Sequence, residues 1–208
     1  MNYRYKILDK TVAYQGFFRL ERYRLRHQLF AGGWSADLTR ECLERGDAVA
    51  VLPYDPVRDT VLLLEQFRVG ALRAPDGPWL LEIVAGMMKP DEDPRAVAKR
   101  EMLEETGCAL LDLVAICDYL VSPGGTTETV HLFCGWVDSS RAGGIHGLAG
   151  EHEDIRVHVF PRQEAMELLA SGRIISSPPI IALQWLEMHR QELLRRWRRR
   201  PAAGISDP

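Results

Sequence analysis

The stretch GMMKPDEDPRAVAKREMLEETGC, Gly86 to Cys108, decides how the rest of the chain is read. Asp93-Pro94 supplies a helix N-cap and the residue best suited to the first helical position. From there to Thr106 nothing breaks a helix, and Gly107 stands where a helical C-terminus is expected. Glu101 and Glu105 are four residues apart and Glu104 is three from Glu101, so the three carboxylates share one face. Like charges at that spacing weaken a helix on its own. Val97, Met102 and Leu103 are expected to make apolar contacts on its other sides. One reading is a solvated acidic face. The other is a site for a hard divalent cation, since Arg100 lies in the same cluster, a Gly-rich loop precedes the helix and a glycine closes it. Mg²⁺ prefers carboxylate oxygens and keeps waters and substrate phosphates in its shell.

Working outward, 208 residues fit one domain, or one domain with an added subdomain. A composition with 46% hydrophobic and 26% charged residues is enough for a real core. The net charge of −3 gives no electrostatic case for nucleic acid as a partner. No apolar run reaches the length of a membrane span, and MNYRYKILDK is not read as a signal peptide. Cys42, Cys108, Cys117 and Cys134 show neither CxxC nor zinc spacing. Free, mostly buried thiols in a reduced cytoplasmic protein are the simplest account.

Residues 1–45 read as a half-exposed antiparallel sheet. Phe18, Leu20 and Leu25 nearly alternate with arginines, Gly32-Gly33 marks a turn, and Ser35 to Leu43 returns. This piece is small and needs another surface, which a second copy of the chain would supply; an ordinary edge sheet is the plainer reading. Strands are expected at Ala48–Leu52, Val61–Leu64 and Trp79–Val84, with Pro53-Tyr54-Asp55-Pro56 as a turn and 70–78 as a loop. Further strands are expected at Leu111–Val121, Thr129–Val137 and Ile155–Phe160. Gln163–Ala170 and Ile180–Leu194 carry helical patterning, the second with a stripe at Ala182, Leu183, Leu186 and Leu193-Leu194. The fold class is α+β, with a mixed sheet between helices. The arginines from Arg190 to Arg200 suit a solvated helix end, and 198–208 is expected to be a disordered tail. The domain division is 1–45, 46–197 and 198–208.

The Gly86–Cys108 stretch resembles the Nudix box, G-x5-E-x7-R-E-U-x-E-E-x-G-U with U a bulky apolar residue. Gly86, Glu92, Arg100, Glu101, Met102, Glu104, Glu105 and Gly107 fall in place, and Cys108 is a mild departure at the last position. Beyond the box, from about Glu44 to Leu194, the chain is similar to the bacterial ADP-ribose pyrophosphatase branch of that superfamily. Pro123 lies fifteen residues past Cys108, as in that branch, and Ser122-Pro123-Gly124-Gly125-Thr126 with Glu128 is similar to its substrate loop. Gly144 to Ala149, followed by Glu151, Glu153 and Asp154, is similar to its catalytic loop. The helix through Ile181 to Leu186 also matches.

The resemblance implies an α/β/α sandwich and Mg²⁺-dependent hydrolysis of ADP-ribose to AMP and ribose 5-phosphate, with Mn²⁺ as an alternative ion. It also implies a homodimer in which N-terminal sheets exchange. Cleaving a diphosphate requires neutralised oxygens and a nucleophilic water, both of which metal ions supply; Glu101 and Glu105 are the first choice of ligands. The resemblance adds the carbonyl of Ala85 and the side chain of Glu153. Glu104 is a supporting or alternate ligand. Arg100 positions the carboxylates, with Glu92 as its partner, and Gly86 and Gly107 shape the box. Glu151 is the candidate general base and His152 its rival by pKa, while His146 is structural. Arg45 and Arg68 are expected to grip phosphates or the adenine. Glu128 would contact the terminal ribose or the diphosphate, Glu82 ribose or an outer metal, and Pro123 the substrate. Two alternatives stay open: another nucleoside diphosphate sugar such as GDP-mannose as substrate, or a non-catalytic ADP-ribose-binding regulator.

Overall fold

The structure is a computed structural model that describes residues 3–148, 150 and 152–198. Its contacts fall into two compact units. The first gathers Met1–Ala48, Met87–Asp91 and Asp118–Val130; the second gathers Val49–Gly86, Glu92–Cys117 and His131–Pro208.

In the first unit, β1 (Tyr5–Gln15), β2 (Arg19–His27) and β3 (Leu38–Glu44) form an antiparallel sheet in that order. Gly32 and Gly33 both take positive φ in the β2–β3 connection, where glycine is the only unstrained choice. The returning strand starts at Leu38, later than the alternation at Ser35 suggests. Every residue of β1 is exposed, including Tyr5, Ile7, Val12 and Tyr14. The buried carboxylate of Glu21 on β2 is held by Lys10 Nζ at 2.9 Å and Arg19 Nε at 2.8 Å. The 122–127 loop is stitched to the end of β3: the Leu43 N–H donates to the Gly125 carbonyl at 2.8 Å, and the Thr127 N–H donates to the Leu43 carbonyl at 3.1 Å.

The remaining strands are β4 (Ala48–Asp55), β5 (Thr60–Phe67), β6 (Trp79–Glu82), β7 (Val84–Met87), β8 (Asp112–Leu120), β9 (Thr129–Trp136), β10 (Gly144–His146) and β11 (Ile155–Pro161). They make an eight-stranded mixed sheet of order β10-β11-β5-β4-β9-β8, with β6 paired to β5 and β7 to β4. Val49 to Asp55 and Val61 to Leu64 are buried without alternation. Successive side chains point to opposite faces, so both faces of these central strands are covered. The helices are α1 (Pro94–Thr106), α2 (Arg162–Ala170) and α3 (Ser177–Arg198). α1 lies against β10 and β11, and α2 against β5, β11 and α3. None of the described helices is long and apolar enough to cross a membrane.

Several expectations are corrected. Pro53-Tyr54-Asp55 belongs to strand β4 rather than to a turn, and Tyr54 is fully buried. The expected strand 79–84 is two short strands divided at Ile83, because the chain leaves β5 and joins β4. The short β10, inside the Gly-flanked loop, gives too little alternation to be seen in sequence. Leu103 is exposed; Val97 and Met102 make the apolar side of α1. Among the cysteines only Cys134 is buried, and Cys117 is exposed. The last turn of α3 is not simply a solvated end. Trp197 is buried between Trp136 and Tyr54, with ring centroids at 5.4 and 6.1 Å, and donates from Nε1 to Asp112 Oδ2 at 2.9 Å. Residues 199–208 of the expected tail lie outside the described residues.

Asp55 ends β4 as a buried carboxylate. Its Oδ1 accepts from the Val57 and Arg58 N–H groups; its Oδ2 accepts from the backbone and hydroxyl of Ser139 and from Arg58 Nη1. Burial alone would raise its pKa, but these donors overcome that and hold it at about 2. A carboxylate whose folded pKa is depressed stabilises the fold at pH values above its unfolded pKa. That stability is lost as pH falls through the folded value. Asp55→Asn is therefore expected to cost about 2 kcal/mol at pH 7, and the gap to wild type is expected to close between pH 4 and 2. Urea unfolding of both proteins across that range checks it.

Candidate functional site

Helix α1 forms as its sequence dictates. Asp93 caps it by accepting from the Ala96 N–H, Pro94 opens it, and Gly107 closes it at φ 67°, with its N–H on the Leu103 carbonyl. The helix presents Glu101 and Glu105 to β7, and both carboxylates are buried. The Ala85 N–H donates to Glu105 Oε2 at 3.1 Å. Gly86 matters here for space rather than for φ: a Cβ built on it would stand 1.9 Å from Glu101 Oε1 and 2.0 Å from Glu101 Cδ. A strand backbone thus lies directly on a helix carboxylate, and only glycine permits it.

Arg100 Nη1 lies 2.8 Å from Glu101 Oε1 and 3.1 Å from Glu104 Oε2, so Arg100 ties Glu101 and Glu104 together. Glu92 adds to the negative field around this guanidinium. Arg68 Nε donates to Glu82 Oε2 at 2.6 Å, joining β5 to β6. Glu153 sits in the loop before β11. Its Oε2 accepts from the Leu148 N–H at 3.3 Å, and its backbone N–H returns to the Leu148 carbonyl. The neighbouring Gly147, at φ 101°, is again a close approach, with a built Cβ 2.8 Å from Glu153 Cβ. His146 is committed to the Gly143 carbonyl at 2.9 Å and packs beside Gly107. Glu151 lies outside the described residues. The neighbouring His152 takes positive φ.

The electrostatics of the cluster are one-sided. Burial pushes the Glu105 carboxyl up to about 8; the Ala85 N–H opposes this, Glu101 and Glu153 add to it, and Arg68 relieves it slightly. Burial also raises Glu101, with Arg100 opposing and Glu104 and Glu153 adding. Three carboxylates therefore feel one another at low dielectric with too little positive charge to balance them. That imbalance, the Gly86 clearance and an all-oxygen donor set fit a hard divalent cation. Among the described residues no three His, Cys, Asp or Glu side chains close into a complete cage. Mg²⁺ asks for less, since it takes one or two carboxylates and fills its shell with water and phosphate.

In the first unit, Arg45 Nη1 pairs with Glu128 Oε2 at 3.2 Å, and its guanidinium lies 5.1 Å from the Phe18 ring centroid. The Glu128 carboxyl is raised by burial, lowered by Arg45 and raised by Asp47. Arg45 and Glu128 meet because the 122–127 loop joins β3. Glu44 takes part too, accepting from the Thr127 hydroxyl at 3.0 Å. The buried Nε of Arg45 has no partner among the described residues. Pro123 lines a recess of about 410 Å³ with Tyr5, Ile7, Tyr23, Leu25 and Gly124. Sequence reasoning missed the partnership of Arg45 with Glu128. It also missed Gln66, a buried amide two residues before Arg68; no motif marks either.

A model of the NUDIX domain matches residues 44–183. The chain belongs to the Nudix family. It is 46% identical over 192 residues to the ADP-ribose pyrophosphatase of Escherichia coli K12, covering 92% of each chain. It is 46% identical over 197 residues to the ADP-ribose pyrophosphatase of Haemophilus influenzae, covering 93% of this chain and 91% of that one. The GDP-mannose pyrophosphatase of Escherichia coli O1:K1 is 34% identical over 151 residues, 72% of this chain and 78% of that one. A crystal structure described as an ADP compounds hydrolase superimposes with a TM-score of 0.69 at 19% identity, over 91% of this chain and 96% of that one. It shows the Nudix fold.

Two outcomes test the site. Gly86→Ala is expected to leave the fold standing, because Glu101 can swing aside, but to weaken Mn²⁺ binding by at least about tenfold; calorimetric titration reads it. Glu105→Gln tests the repulsion. A carboxyl whose folded pKa is raised loses stability as pH climbs from its unfolded pKa to its folded one. In chelator at pH 8–9, Glu105→Gln is therefore expected to melt above wild type, with the difference shrinking toward pH 4.

Proposed function

We propose that this chain hydrolyses the diphosphate of ADP-ribose to AMP and ribose 5-phosphate, with Mg²⁺ as its working ion and Mn²⁺ as a substitute. The observation that carries the chemistry is the pair of buried, under-neutralised carboxylates, Glu101 and Glu105, beneath the bare Gly86 backbone. The substrate rests on the similarity to ADP-ribose pyrophosphatases over nine-tenths of the chain. GDP-mannose is the second reading, supported by the more distant relative.

When bound, the ion would lower the pKa of water and neutralise phosphate oxygens. Glu101, Glu105, Glu153 and the Ala85 carbonyl would hold it. Arg100 keeps Glu101 and Glu104 in register. Arg68, fixed by Glu82, offers its remaining N–H donors to a phosphate oxygen. Arg45 and Glu128 are assigned to substrate, as is Pro123. Glu151 takes the proton of the attacking water as the water oxygen bonds to phosphorus and the bridging oxygen leaves with its electron pair. Placing the attack at the adenylyl phosphorus yields AMP.

We also read the chain as a homodimer through residues 1–45. The support is β1, a strand with every residue exposed and with aromatic and branched side chains among them. An uncovered apolar strand of this kind calls for a partner surface. The division 1–45, 46–197 and 198–208 belongs to this reading. The absence of a disulfide among the described residues suits a reducing cytoplasm, and the net charge of −3 argues against nucleic acid.

AMP release from ADP-ribose with Mg²⁺ is the first experiment, run beside GDP-mannose. Turnover of ADP-ribose is expected, lost with chelator and lowered at least about 100-fold in Glu105→Gln. Turnover of GDP-mannose alone would move the substrate. Binding of ADP-ribose without turnover of either would make the protein a regulator. Light scattering on the full chain is expected to give a dimer. Placing charges on β1, as in Ile7→Lys with Val12→Glu, is expected to shift it to monomer.

A further inference from the structure

Gln66 is a polar side chain with no accounted purpose. It sits near the end of β5, in a run that is otherwise Val, Leu and Phe apart from Glu65, and is only 7% exposed. Its amide Nε2 is buried and has no hydrogen-bond partner among the described residues. An amide donor left that way has lost its hydrogen bonds to water without gaining one in the protein. Core strands ordinarily place Leu, Ile or Met at such positions.

The register shows what Gln66 faces. In the antiparallel β5–β6 pair, Leu64 is opposite Glu82 and Gln66 is opposite Leu80. Directly opposed residues share a face, and so do residues two apart on one strand. Gln66 and Glu82 are therefore on one face, and Arg68, still extended just past the end of β5, reaches Glu82 at 2.6 Å. Glu82, which holds Arg68, is three residues before Ala85, whose N–H donates to Glu105, so this end of the β5–β6 pair adjoins the backbone that meets the carboxylate pair. Arg68 is bound by Glu82 through Nε. The amide thus lies two residues before Arg68, on the face that carries Glu82, close in sequence and pairing to the strand backbone that bonds Glu105.

We propose that Gln66 is a substrate-binding residue whose buried Nε2 donates a hydrogen bond to an oxygen of the substrate diphosphate. This deepens the function proposed above and rests on its placement of a diphosphate at the carboxylates. The diphosphate is common to ADP-ribose and GDP-mannose, so the role of Gln66 does not depend on which nucleoside is chosen. A donor-only contact suits an anionic oxygen better than a ribose hydroxyl, which offers a donor as well. Keeping the donor unpaired until substrate arrives exchanges stability for recognition, a pattern common at binding sites.

The test uses Gln66→Met in the full chain, an uncharged change of similar volume that removes the donor. ADP-ribose, GDP-mannose and adenosine are titrated in chelator, where binding is read without turnover, and thermal unfolding is recorded alongside. Binding of whichever diphosphate the wild type takes is expected to weaken about tenfold in Gln66→Met, with adenosine affinity unchanged. The Tm of the free protein is expected to hold or rise by about 2–4 °C. Equal diphosphate binding by the two proteins would overturn the role of Gln66 while leaving the substrate reading intact. So would a Tm that falls while binding is unchanged, which would mark the amide as structural. A wild type that binds GDP-mannose but not ADP-ribose overturns the substrate reading, and the same comparison with GDP-mannose still decides Gln66. A wild type that binds neither diphosphate overturns both.

Discussion

The structure depends on one close approach, that of the β7 backbone to the carboxylates of α1. Ala85 offers its N–H to Glu105, and Gly86 leaves the room that Glu101 occupies. Two acidic side chains are thereby taken out of water, with Arg100 opposing the shift of Glu101 and Arg68 weakly opposing that of Glu105. Burying a charge without a full partner is costly. The fold accepts that cost at the place where a doubly charged ion would remove it. The same proximity that makes the free protein less stable is what would draw a hard cation to the proposed site.

Such an unfavourable cluster requires a frame that does not relax around it. The central strands β4 and β5 are buried on both faces, so they cannot shift without breaking the core. Their connection is fixed by two polar knots. Asp55 collects donors from Arg58 and Ser139, and Asp59, at positive φ, takes Arg162 from α2 and Arg190 from α3. The second knot joins both C-terminal helices to the turn between the strands, and Tyr54 donates its hydroxyl to Asp59 from the core side at 2.7 Å. At the far end of α3, Trp197 closes the aromatic cluster. Gln66 is presented by β5, Arg68 by the residue just past its end, and Ala85 by the strand that pairs with β4. The rigidity of the frame is transmitted directly to the site.

What was legible in the sequence was what is local. Asp93-Pro94 and Gly107 mark the ends of α1 because caps act within one turn, and the i, i+4 spacing of Glu101 and Glu105 places them together by helix geometry alone. The Nudix family is shown by the comparisons, in agreement with the box residues. What depends on distant parts of the chain was not legible. The break at Ile83 exists because the chain changes partner strand, which no neighbouring residue announces. Asp55 reads as a turn residue beside Pro53 and Pro56, yet its donors come partly from Ser139, eighty-four residues away. Arg45 meets Glu128 only because a loop adds itself to β3. Gln66 is a conventional strand neighbour until its burial is seen, with its Nε2 lacking a partner among the described residues.

The two kinds of information map onto two kinds of chemistry. In the proposed reading, the box and its backing strand supply what every diphosphate requires: carboxylates to hold an ion and a guanidinium that positions them. These are fixed by short spacings within one helix and the strand beside it. Choosing among nucleosides needs contacts that a helix repeat cannot encode. Arg45, proposed above to meet substrate, is built for such a contact. One nitrogen is held by Glu128, one face is stacked toward Phe18, and Nε is buried with no partner among the described residues. A guanidinium oriented on two sides has lost most of its rotamer freedom before any ligand arrives, so a further hydrogen bond costs little additional entropy. Specificity in this chain is therefore expected to follow the arginine–glutamate pair and the loop that brings it together, while the reaction itself follows the helix.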